Sequence, residues 1–252
     1  MKYQRLLPLS SALGIWFLSQ MFFLEAKFFY VAVTLGLALI VFSVRYLGKK
    51  NKTPGWYSLI IAPVLFWLSG SLYVAIISNV FWMQIVFLVE AWFVYAYFKN
   101  LYLQLAYAAP ERAAKTDNLL LAGGFLGIFA LSSALYGLTA FINTPFLVLL
   151  LIFCPFAVLF FVQFWSFQKI NWPIRSYFFL IIILLFLELA GALSLLPLNF
   201  NVLGLLLALI YYFLLSVTRL FWQGDLSWEK LKLPFILSGG LIFLVFLTSR
   251  WL

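Results

Sequence analysis

WYSLIIAPVLFWLSGSLYVAIISNVFWMQIVFLVEAWFVYAYF, residues Trp56 to Phe98, carries a single charged residue, Glu90, and one break, at Ser78-Asn79. Each arm is about as long as the roughly 20 apolar residues that cross a hydrocarbon core of about 30 Å. Neither arm alternates polar with apolar residues, so the pair reads as a helical hairpin, in which each helix satisfies its own backbone in lipid, rather than as barrel strands. The rest of the chain has the same character: 66% of its 252 residues are hydrophobic, 9% are charged, and the mean hydropathy is +1.11. A soluble core with a polar shell does not reach that composition. The sequence predicts an all-α, polytopic transmembrane helical bundle, a single integral membrane domain over 1–252 with about nine spans. These fall at 6–24, 28–47, 56–77, 79–98, 119–141, 145–167, 174–196, 202–222 and 234–252.

Lys2 and Arg5 lead into the first span, which is expected to be retained because Leu24-Glu25-Ala26-Lys27 is a poor signal-cleavage site. Pro54-Gly55 breaks the chain before the opening hairpin, and the interval Lys99–Asn118 reads as a solvated connector. Of the 16 basic residues, all but Lys27 and Arg250 fall on one side if the amino terminus is cytoplasmic. Positive residues concentrate inside, so the expected placement is a plasma or inner membrane with the amino terminus in and the carboxyl terminus out. A net charge of +9 located at helix ends points to anionic headgroups and excludes nucleic acid as the partner.

The rising arms resemble one another. Leu68-Ser69-Gly70-Ser71-Leu72-Tyr73, Leu131-Ser132-Ser133-Ala134-Leu135-Tyr136 and Leu189-Ala190-Gly191-Ala192-Leu193-Ser194 each precede an asparagine, Asn79, Asn143 and Asn201. This suggests four hairpin repeats plus a final helix. A second pattern concerns packing: Gly123, Gly127, Ala130, Ala134 and Gly137 recur at spacings of four and three, a face along which backbones approach closely. Gly191 and Ala192 offer a shorter face of the same kind.

Glu90 and Glu188 are the acids deep inside expected spans, and together they form the candidate intramembrane polar site. A charge at the bilayer centre costs about 2.5–3.5 kcal/mol on insertion scales, so such residues tend to face a bundle interior or a cavity. Glu188 shares its helix face with Gly191, Ala192 and Leu195, which predicts that it points into a close helix contact. Glu90 lies among Val86, Phe87, Phe93 and Val94, with Met83 and Tyr97 on the same face, which predicts a cavity lining instead. Pro8, Pro63 and Pro155 are expected to kink their spans. Trp56, Trp165, Trp172, Trp222, Trp228 and Trp251 fall near span ends, as interfacial anchors do.

The chain has no histidine and one cysteine, Cys154, and no expected span contains an aspartate. Those absences remove histidine bases, paired aspartates and the usual zinc or haem ligands, so no cofactor, no metal and no catalytic residue is expected. There is no phosphate-binding Gly-Lys-Ser/Thr loop either. Two functions remain. The first is a non-enzymatic membrane subunit that packs in the lipid bilayer with membrane-protein partners or as a homo-oligomer. The second is a small carrier or channel for a hydrophobic or protonatable solute, using Glu90 and Glu188.

Overall fold

The computed structural model describes residues 2–50, 56–107, 110–166, 172–222, 224 and 227–249. Among these it holds nine α-helices and no strand. They are α1 (Lys2–Gln20), α2 (Ala26–Lys50), α3 (Ile61–Val74), α4 (Val80–Tyr107), α5 (Pro110–Ile142), α6 (Phe146–Ser166), α7 (Trp172–Ser194), α8 (Phe200–Trp222) and α9 (Trp228–Thr248). Six are long and apolar enough to cross a membrane, and shorter apolar helices cover Ser58–Val74, Leu150–Gln163 and Leu180–Ser194. The molecule is an all-α, membrane-embedded helical protein. The break at Pro54-Gly55, the loop at Lys169 and the end of the final span at 250–252 lie outside the described residues.

The largest departure from the expected spans is at the connector. α4 continues to Tyr107 and α5 begins at Pro110, so helices run through most of Lys99–Asn118. At 1.5 Å per residue α5, 33 residues long, extends about 50 Å. Proline at the first helical position and the good helix formers after it account for the early start. Leu101 and Tyr102, within the interval read from sequence as solvated, are buried. α9 likewise starts at Trp228, ahead of the expected 234, and takes Pro234 inside it. Ser227 precedes it in an extended conformation, and its carbonyl accepts the amides of Lys230 and Leu231.

The chain divides into two compact units, Met1–Gly123 and Gly124–Leu252, the division falling within α5. In the first, α1 packs chiefly on α4 and α2, and α3 packs on α2 and α4. In lipid, apolar contact with a neighbouring helix gains little over contact with acyl chains. Close fit and interhelical hydrogen bonds therefore decide which faces meet. Trp67 of α3, fully buried, lies over Gly36 of α2, where a β-carbon would sit 2.6 Å from the indole, and its N–H donates to the Val33 carbonyl at 3.2 Å. Ser11 and Ser43 join α1 to α2 at 2.9 Å. Gln20 and Gln84 exchange two amide hydrogen bonds, of 3.3 and 2.9 Å, between α1 and α4.

In the second unit consecutive helices α6 to α9 pack in order. Their core centres on Tyr211 of α8, with Phe161 at 4.9 Å and Phe186 at 6.0 Å between ring centroids. Gly124 and Gly127 of α5 lie against Tyr211 and Phe160. α9 packs on α8, with Phe235 at 6.2 Å from Phe213, and most of its surface is exposed, Ser238 being its buried residue.

The asparagines aligned by the apparent repeat do not share one role. Asn79 and Asn199 cap α4 and α8 alike: each side-chain oxygen accepts the amide two residues on, from Phe81 and Asn201, at 2.9 Å. Asn143 instead ends α5 in the left-handed conformation, at φ 53°, a position asparagine tolerates. The equivalence therefore runs from Asn79 to Asn199, not through Asn143 or Asn201.

Candidate functional site

Glu90 sits in the middle of α4 and is 1% exposed. Its neighbours on that helix, Phe87, Phe93 and Val94, are buried with it. The carboxyl reaches across to α3, where Oε1 occupies the position of the β-carbon that Gly70 lacks. Any side chain at residue 70 would collide with it. Only glycine leaves this notch, and the carboxyl fills it, with the glycine Cα–H aimed at an acceptor oxygen, a weak contact known between closely packed helices. Both carboxyl oxygens, and the hydroxyls of Ser69 and Ser71 on either side of Gly70, are buried without a hydrogen-bond partner among the described residues.

The cavity expected beside Met83 and Tyr97 is replaced on the Tyr97 side by packing. Tyr97 is 1% exposed, stacks on Phe93 at 6.1 Å, and donates its hydroxyl to the Leu59 carbonyl at 2.7 Å. Leu59 stands four residues before Pro63, which has no N–H to offer that carbonyl. The tyrosine thus satisfies the acceptor that the proline leaves unserved, and the freed carbonyl is spent inside the fold.

Glu188 lies elsewhere, in the second unit, and is exposed. The expectation that it points into a close helix contact is corrected. The buried face of α7 carries Ile182, Ile183, Phe186, Ala190 and Leu193, whereas Ala192 and Leu195 are exposed with Glu188, and Gly191 is half-buried. The physical reason is that aromatic Phe186 and small Ala190 make the better core face: Phe186 packs against Phe153 at 5.6 Å, and Ala190 accepts the hydroxyl of Tyr136 at 2.8 Å. Glu90 and Glu188 are thus a buried acid and an exposed one, in different units.

Gly123, Gly127, Ala130, Ala134 and Gly137 are all buried. Phe93 fills the notch at Gly123, and Phe160 the one at Gly127. Sequence reasoning missed Gly204, whose absent β-carbon is replaced by the Ser133 hydroxyl of α5. It also missed the Gln20–Gln84 pair and the tyrosine hydroxyls that bind neighbouring backbones. The available signal was a glycine within an apolar span, which identifies the notch and not its occupant.

A small cleft of about 10 Å³, room for about one water, is lined by Ser132, Leu135, Tyr136, Phe153 and Leu207 among others. Its polar groups are occupied: Ser132 donates to Ile128 at 2.5 Å, and Tyr136 to Ala190. Among the described residues no three His, Cys, Asp or Glu side chains come together as metal ligands would. Comparison with known protein families, curated proteins and solved structures finds no match for this chain.

Proposed function

We propose that this chain is a non-enzymatic, multi-pass integral membrane subunit whose role is assembly with other membrane proteins. It would sit in a plasma or inner membrane with the amino terminus cytoplasmic and the carboxyl terminus outside, an orientation supported by the distribution of its basic residues. The observation that carries the proposal is the fit of Glu90 into Gly70. The most buried acid among the described residues is used to seat α4 on α3, where a carrier would keep such a group open to its solute.

One observation favours the carrier reading. Four polar atoms of one hairpin, Glu90 Oε1 and Oε2 and the hydroxyls of Ser69 and Ser71, are buried without partners among the described residues. Buried groups of that kind normally call for a ligand, a water or a proton. Native electrophoresis after extraction in a mild detergent separates the two. A subunit migrates in a complex well above one 29.0 kDa chain with its detergent. A carrier runs alone and, in liposomes, supports a proton or solute flux that Glu90→Gln abolishes.

A further inference from the structure

The outward face of α7 has a regular register. Tyr177, Ile181, Leu184, Glu188, Gly191 and Leu195 follow at spacings of four, three, four, three and four, the pattern of a coiled-coil seam. The seam turns away from the other helices of its unit: Tyr177 is 77%, Ile181 62%, Leu184 51% and Leu195 84% exposed, Glu188 is exposed, and Gly191 is half-buried. Exposed apolar residues need no explanation in lipid. An acid among them does. Glu188 stands six residues before the end of α7, about 9 Å of helix rise below it, and within the span expected at 174–196, whose length matches a hydrocarbon core of about 30 Å. It has no hydrogen bond or ion pair among the described residues, and the basic residues of its own chain are gathered toward helix ends. A second copy would bring only another acid to the same seam, and two like charges facing one another across an apolar interface repel.

We propose that this seam is the docking surface for a transmembrane helix of a different protein, one that carries a lysine or arginine at the depth of Glu188. The cation neutralises the carboxylate, Gly191 one turn along lets the two backbones close, and Leu184 and Leu195 pack on either side of the pair. Removal of both charges from lipid supplies the drive to associate that apolar contact alone lacks in a bilayer. The proposal rests on the assembly function and gives it a site and a partner chemistry.

The test uses the full chain in phosphatidylcholine vesicles and a dansyl-labelled helix of about 20 leucines with one lysine about six residues from its end, at the depth of Glu188, read by energy transfer from the protein's tryptophans. An all-leucine helix and one with glutamate in place of that lysine serve as comparisons. The lysine helix is expected to associate about tenfold more strongly than the all-leucine helix. That preference should vanish in Glu188→Leu and in Glu188→Gln, the second variant keeping shape and hydrogen bonding but not charge. Equal transfer from the three helices, a preference that survives in Glu188→Gln, or a chain that pairs with itself through this seam would each overturn the proposal. The assembly function is judged separately. A native complex that persists in Glu188→Leu leaves assembly standing and removes this site, whereas the absence of any native complex removes assembly itself.

Discussion

Glu90 and Gly70 form a lock whose two halves can be exchanged. Gly70→Ala places a methyl group where Oε1 lies, and overpacking of this kind costs about 1–3 kcal/mol. Glu90→Ala empties the same space, so the double variant should recover much of what Gly70→Ala loses. A thermal-denaturation cycle in detergent is expected to give a coupling of about 0.5–3 kcal/mol, and strict additivity would separate the two residues. Tyr97→Phe is expected to lower stability by about 1–3 kcal/mol by stranding the Leu59 carbonyl beside Pro63, again by melting temperature. At this scale the sequence marks Glu90 as exceptional because it is the lone acid of its hairpin, and the Ser-Gly-Ser arm as a packing arm. It does not tell which atom enters the glycine notch, because that depends on the rotation of α3 against α4, which no local pattern encodes. Glu188 illustrates the opposite limit. α7 is apolar on every side, so its small residues point equally well to a contact or to lipid, and only the packing of Phe186 and Ala190 decides.

The elements carry their own starts and stops. Asn79 and Asn199 cap α4 and α8 with the same hydrogen bond, so Asn79→Ala and Asn199→Ala should each cost about 1 kcal/mol. Asn143→Ala acts differently, through a left-handed backbone that alanine adopts reluctantly. Hydrogen exchange at the first turns of α4 and α8 distinguishes the cases: it should quicken locally in the two cap variants and stay unchanged there in Asn143→Ala. Most helices were legible from hydrophobic length alone, and their ends shifted by a few residues. The connector between α4 and α5 was not, because charge indicates solvent and says nothing about helicity: Glu111, Arg112 and Lys115 are charged and, with Ala113 and Ala114, still good helix formers. Between α1 and α4, Gln84→Leu removes one half of the amide pair. Its expected cost in stability is about 0.6 kcal/mol, the average for a side-chain hydrogen bond within a membrane bundle.

For the whole molecule, composition alone dictates an all-helical membrane protein, and positive-inside charge supports the orientation proposed for it. A cysteine introduced near Asn199 should react with an impermeant thiol reagent in intact cells, and one near Lys232 only after permeabilisation, if the amino terminus is cytoplasmic. What composition cannot convey is the contrast between Glu90, closed within its own hairpin, and Glu188, exposed on α7, since that is a property of packing. The proposed assembly role and its docking site both rest on that contrast. It is tested most directly by site-resolved mass spectrometry after reaction with a lipid-soluble carbodiimide, in native membranes and on the purified chain. Labelling of Glu188 in the purified chain, protection of Glu188 in native membranes and no labelling of Glu90 in either is the predicted result. Labelling of Glu90 in native membranes, with Glu188 equally reactive before and after purification, would contradict it.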